Sequence, residues 1–165
     1  AVTRVIRLRW SEAVLDELDT ALLAARPTIS RERLTSRRKA MNSALPDANV
    51  VEAQRRTLIA ELPDPRDGHV LAAALDGGCT TLLTFNLKDF PPHQLAREDA
   101  GIAAVHPDLF LLTLLTTTAA PVINAIAAVR EQLTAPPMSW SEYLASLARS
   151  GLPQTAELLR HLLSV

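Results

Sequence analysis

The chain has 165 residues, 48% of them hydrophobic, and a formal net charge of −1; that is enough apolar material for one core, or for one domain with a smaller helical appendage. The near-balanced charge gives no global signal for a nucleic-acid partner, although it would hide a local basic patch, and a single cysteine rules out an internal disulfide framework. No apolar run approaches the roughly 20 residues of a membrane span and no signal peptide is visible, which predicts a cytosolic protein without membrane contact.

Residues 5–10 alternate Ile6, Leu8 and Trp10 with Arg7 and Arg9, the period of a half-buried strand. Ser11 offers a helix N-cap, with Glu12 in the favourable first turn, and Val14, Leu15, Leu18, Ala21 and Leu22 make the apolar face behind it. Glu17 falls at the edge of that face, about 100° from its centre, where a carboxylate can reach a shared cleft. Asp16 and Asp19 point away from it. After Pro27 and Thr28, Ser30 opens a strongly basic helix with Arg31, Arg33, Arg37, Arg38 and Lys39 around Leu34, Ala40 and Met41. It reads first as a solvated surface helix and second as a phosphate-contacting arm. Pro46-Asp-Ala-Asn is turn chemistry, followed by Val50-Val51-Glu52 and an apolar segment around Leu58 and Ile59.

The central stretch begins at Asp64-Pro-Arg-Asp67. Asp67 is placed to cap a helix whose apolar residues are Val70, Leu71, Ala74 and Leu75, and Gly77-Gly78 ends it. Thr80 to Phe85 then reads as a short strand covered on both faces, with Cys79 as a small core residue at its start. A helix packed antiparallel on the strand after it sets its own N-terminus beside that strand's C-terminal end, which brings Asp64 and Asp67 near Asn86 and Asp89. Three carboxylates and an amide gathered there repel one another unless a cation joins them. Oxygen donors without histidine or cysteine companions favour Mg2+ or Mn2+ over zinc, and such ions commonly act on phosphates.

Taken singly, each acid has a plainer role: Asp67 a cap, Asp64 an Asx-Pro turn, Asp89 a loop acid, Glu17 a solvated flank. Their convergence carries the argument. His69 reads as a packing or hydrogen-bonding residue, and His93, His106 and His161 lack ligand spacing with one another. There is no glycine-rich phosphate loop and no Gly-x-Ser-x-Gly elbow, so a nucleophilic Ser or Cys mechanism has no foothold.

Beyond Pro91-Pro92, Gly101 to Val105 reads as a further strand. At His106-Pro107 the pattern turns helical: Pro107 suits a first helical position, Pro121 opens a helix to about Leu133, and Ser139-Trp-Ser-Glu142 is a capping box. That helix ends at Gly151, and a last one runs through Leu158, Leu159, Leu162 and Leu163. The division expected is 1–105 and 106–165.

Asp64-Pro-Arg-Asp67-Gly-His-Val-Leu-Ala-Ala-Ala together with Thr84-Phe-Asn86-Leu-Lys-Asp89-Phe-Pro resembles the second half of a PIN domain, as found in VapC-type toxins of bacterial toxin–antitoxin pairs. Trp10-Ser-Glu-Ala-Val-Leu-Asp-Glu17-Leu is similar to the segment bearing that family's helical glutamate. His106-Pro-Asp-Leu-Phe-Leu-Leu, and Pro136-Pro-Met-Ser-Trp-Ser-Glu-Tyr-Leu with Leu147-Ala-Arg-Ser-Gly-Leu-Pro, resemble the helical C-terminal extension of one VapC subgroup.

The resemblance implies an α/β, three-layer fold with a central parallel sheet over residues 1–105 and an all-helical extension over 106–165. It implies a Mg2+- or Mn2+-dependent endoribonuclease that cleaves structured RNA such as tRNA, is held inactive by a cognate antitoxin and forms a homodimer. Glu17, Asp67 and Asp89 would be the acidic metal site, Asp64 an auxiliary acid, and Thr84 and Asn86 would line it; the ion would activate a water for in-line attack on a phosphodiester. One feature departs from the family: PIN domains open with a strand ending in Leu-Asp-Thr/Ala-Asn/Cys-x-Leu, and no such element occurs in these residues. With Ala1 first, the expectation is a domain lacking its first strand and first catalytic aspartate. Such a chain is either part of an active toxin or a nuclease-dead PIN-like module that engages an antitoxin or dimerises. In an unrelated α/β enzyme, by contrast, Glu17, Asp67 and Asp89 would scatter beyond the roughly 8 to 10 Å that one or two ions bridge.

Overall fold

A computed structural model of the chain describes residues 5–51, 62–97, 101–134 and 136–164. Among them the protein is mixed α/β and mostly helical, with a two-stranded parallel sheet. The expectations that fall on Glu52, Leu58 and Ile59 lie outside the described residues. Two compact units divide the chain: residues 7–82 with 86–104, and residues 1–6 with 83–85 and 105–165.

In the first unit, helix α1 (Glu12–Ala25) starts where expected, with the Ser11 hydroxyl accepting from the Val14 N–H at 3.3 Å. Helix α2 (Arg31–Ala44) starts in the same way at Ser30. Three ion-pair contacts hold α2 to α1 through Arg38, which meets Glu12 at 2.9 Å, Asp16 at 2.8 Å and Asp19 at 2.6 Å, and Arg37 adds Asp19 at 2.5 Å. Asp16 and Asp19 therefore do turn away from the α1 apolar face, and two of the basic residues of α2 are spent on them. The Arg38 guanidinium is held more firmly protonated by those partners, Asp16 foremost.

Residues 5–10 do not form the expected strand. Among the described residues only Trp10 pairs, in an isolated parallel bridge to Asn49, with its N–H donating to the Ala48 carbonyl at 2.9 Å and its carbonyl accepting from the Val50 N–H at 2.8 Å. Alternation marks two faces, but a strand also needs a neighbouring backbone of equal length, and the neighbour here is the end of a three-residue turn, Pro46–Ala48.

Helix α3 (Gly68–Asp76) is the core of this unit. Leu71, Ala72 and Ala74 bury against Leu62, Leu82, Phe90, Leu95 and Ile102. Its end is a Schellman turn: the Cys79 N–H donates to the Ala74 carbonyl at 2.9 Å and the Gly78 N–H to Leu75 at 3.1 Å, with Gly78 at φ +60°. Strand β1 (Thr81–Leu83) follows, then a turn at Leu87–Asp89, the short helix α4 (Pro92–Arg97) and strand β2 (Ala103–Val105). The strands pair in parallel, with the Ala103 N–H on the Thr80 carbonyl at 3.0 Å and the Thr84 N–H on Val105 at 3.2 Å. The expected cover on both faces of β1 is not found: Leu82 is 5% exposed, whereas Leu83 is 42% exposed.

The second unit is helical: α5 (Pro107–Thr117), α6 (Ala119–Glu131), α7 (Trp140–Arg149) and α8 (Pro153–Leu163). Its core is Leu115, Val122, Leu144, Ala156 and Leu159. The expected starts of α5 and α7 are present. His106 caps α5 ahead of Pro107, and Ser139 with Glu142 forms the full capping box of α7. Helix α6 starts at Ala119, two residues before the expected Pro121. Asp108, 2% exposed, accepts from the Thr155 N–H at 2.8 Å and the Gln154 N–H at 3.0 Å, so a residue of α5 caps α8.

Candidate functional site

The acidic turn is built by Asp64 and Pro65. Proline fixes φ near the helical value and opens a one-turn 3₁₀ segment, Pro65–Asp67, that runs directly into α3. Asp64 caps it, its Oδ1 accepting the Arg66 N–H at 2.9 Å. Asp67, expected to be the cap of α3, makes no side-chain capping bond. The reason is local: the turn ahead of α3 already holds Asp67 in a helical conformation, so its side chain cannot fold back onto the amides that follow. Its carboxylate is left available in the cluster.

Three of the other acids have partners of their own. Asp64 also accepts the Arg66 guanidinium, from Nε at 3.1 Å to both oxygens and from Nη2 at 2.7 Å, which pulls its carboxyl down to about 2. Asp89, at the end of the Leu87–Asp89 turn, accepts from the Asn86 side-chain amide. Glu17, exposed on α1, has its Oε1 3.4 Å from His69 Nε2. The opposite ring nitrogen, Nδ1, donates to the Arg66 carbonyl at 2.8 Å, and Nε2 is buried without a hydrogen bond among the described residues.

The electrostatics of Asp67 report what these segments bring together. Burial pushes its carboxyl above the ordinary value, and the charges of Asp64, Asp89 and Glu17 push it further, with His69 opposing in part. Glu17, Asp64 and Asp89 each act on Asp67 within the first compact unit, and Asn86 of the same unit bonds Asp89. Thr84 belongs to the second unit, where its backbone N–H serves the sheet.

Arg66 is a member of this cluster that the sequence pattern does not single out. It sits between two acids, its side chain is 89% exposed, and the charges of Asp64, Asp67 and Asp89 all stabilise its protonated form. An Asp-Pro-Arg-Asp run is itself the available signal, since residues two apart across such a turn are within side-chain reach. His69 fulfils its expected hydrogen-bonding role, and its closeness to Glu17 is added by the fold.

The carboxylates are the hard oxygen donors that Mg2+ and Mn2+ take. Their spacing does not make a formed site: among the described residues no three of His, Cys, Asp and Glu gather closely enough to hold a metal ion. No described helix is long and apolar enough to cross a membrane.

Comparison with protein families gives two matches. Residues 1–88 match the PIN domain, and residues 107–161 match the VapC50 C-terminal domain. No curated protein and no solved structure matches the chain.

Proposed function

Because the chain belongs to the PIN-domain family, as a VapC-type member with a helical C-terminal extension, we propose that it is an endoribonuclease toxin whose acidic site comprises Glu17, Asp67 and Asp89. Asp64 is the auxiliary acid, and Asn86 orients Asp89. The observation that carries this reading is the raised Asp67 carboxyl, which feels Glu17 from α1, Asp64 from the preceding turn and Asp89 from the turn after β1. Acids recruited from separate segments to weaken one carboxyl's ionisation are what a cation-binding or proton-handling site requires and what a set of independent caps does not.

The PIN family is generally metal-dependent, and the proposed cofactor is Mg2+ or Mn2+. The donor type supports it and the present spacing does not, so the roles assigned rest on the chain's own groups. Glu17, Asp67 and Asp89 concentrate negative charge, and the Asn86 amide holds Asp89 in place. The proposed substrate is a structured RNA such as tRNA. The proposed partners are a cognate antitoxin and a second copy of the chain, with residues 106–165 acting as a distinct helical extension of the 1–105 nuclease region.

That no three of these acids gather closely enough among the described residues to hold a metal ion favours a second reading: a nuclease-dead PIN module that binds an antitoxin or dimerises. One assay separates the two. Purified protein incubated with tRNA and Mn2+ is expected to cleave it, and EDTA or Asp67→Ala to abolish cleavage. Intact tRNA with the wild-type protein supports the second reading, and cleavage that survives Asp67→Ala overturns the site.

A further inference from the structure

We propose that Arg66 binds a backbone phosphate of the RNA substrate at the rim of the acidic cluster, its guanidinium held on Asp64 until the phosphate replaces the carboxylate. This rests on the ribonuclease reading and deepens it by naming the residue that admits a polyanion to an acidic site.

The geometry makes the exchange possible. Asp64 is secured in its turn by the Arg66 backbone N–H at 2.9 Å, so the turn keeps its cap when the side chain leaves. The guanidinium bonds, Nε at 3.1 Å and Nη2 at 2.7 Å, are additional to that cap. They join a side chain 89% exposed to one 28% exposed, a pair that water and salt screen strongly. Arg66 is thus oriented without being committed. Its planar fork presents parallel N–H donors to a carboxylate, and a backbone phosphodiester offers a matching pair of oxygens that share one negative charge.

The setting requires such a residue. Asp64, Asp67 and Asp89 all act on Arg66 electrostatically, so an approaching phosphate meets several negative charges, and a mobile cation among them lowers that barrier. The basic helix α2 does not supply it through Arg37 or Arg38, both of which are paired with α1 acids.

The test is steady-state cleavage of an RNA oligonucleotide by the full chain with Mn2+ across a range of salt, for wild type, Arg66→Gln and Arg66→Lys. Arg66→Gln is expected to raise KM about fivefold, the worth of one screened charge pair, with kcat within about twofold. The slope of log KM against log salt should fall by about 0.7, the loss of one phosphate contact on a single strand. Arg66→Lys should restore the slope. Unchanged KM and slope in Arg66→Gln overturn the proposal while leaving the nuclease intact, as does a fall in kcat that tracks a lowered melting temperature. A wild-type chain that cleaves nothing overturns the ribonuclease reading, and this proposal with it.

Discussion

Glu17 and His69 face each other from α1 and α3, Oε1 to Nε2 at 3.4 Å, while the far nitrogen of the same ring is fixed on the Arg66 carbonyl at 2.8 Å. The imidazole therefore fixes the turn ahead of α3, while its Nε2 stands beside the α1 acid without a hydrogen bond. Replacing it by alanine removes the Arg66 bond, a cost of about 1 kcal/mol. His69→Asn places an amide donor where Nδ1 stood. Urea melts are expected to show Asn recovering most of the stability lost in Ala.

Asp67 is a carboxyl held above its ordinary value, first by burial and then by neighbouring acids. Such a group keeps its proton more readily folded than unfolded, so folding stability falls as pH rises from the unfolded value through the folded one, and stays lowered above it. Asp67→Asn should raise the melting temperature at neutral pH while removing activity. Carboxyl titration followed by NMR should find Asp67 above the ordinary range in wild type, and lower in Glu17→Gln and in Asp89→Asn.

Asp108 behaves in the opposite sense. Burial pushes its carboxyl up, but the bonds from Thr155 and Gln154 outweigh it and leave the group below its ordinary value. Its contribution is full above the unfolded value and is lost as pH falls through the folded one. Asp108→Ala leaves the buried Thr155 N–H unpaired and should cost about 3 kcal/mol, with Asp108→Asn costing about 1 kcal/mol because an oxygen remains to accept. Denaturant melts at neutral and acid pH read both effects.

Gly151 follows α7 at φ +85°, and a Cβ there would stand 2.8 Å from Cε1 of Phe85. Phe85 is 61% exposed and its ring can move, so the backbone conformation dominates the cost. Gly151→Ala is expected to destabilise by about 1 to 2 kcal/mol, and adding Phe85→Ala should recover only a small part in thermal melts.

Much of this was legible in the sequence because it is written locally. Ser11, Ser30, His106-Pro107, Ser139 with Glu142, and Gly78 each specify a helix end through atoms a few residues away. The partners of Arg37 and Arg38 were not legible, since they depend on which faces of α1 and α2 meet. Residues 5–10 carried a strand's alternation but not its pairing, and Asp67 lost the capping role to Asp64 because Pro65 began the turn three residues before the helix proper. The topology led to an expectation of Asp64 and Asp67 near Asn86 and Asp89, and the charges of Asp64 and Asp89 act on Asp67, but no three of the acids gather into a metal site among the described residues.

Glu17, Asp67 and Asp89 are proposed to act as one ribonuclease site. The most direct measurement is Mn2+-dependent tRNA cleavage by Glu17→Gln, Asp67→Asn and Asp89→Asn beside Asp16→Asn, an α1 acid turned toward Arg38. Each of the first three should lose about a hundredfold or more in rate, and Asp16→Asn should stay near wild type. Any of the three retaining the wild-type rate, or Asp16→Asn losing as much as they do, would contradict it.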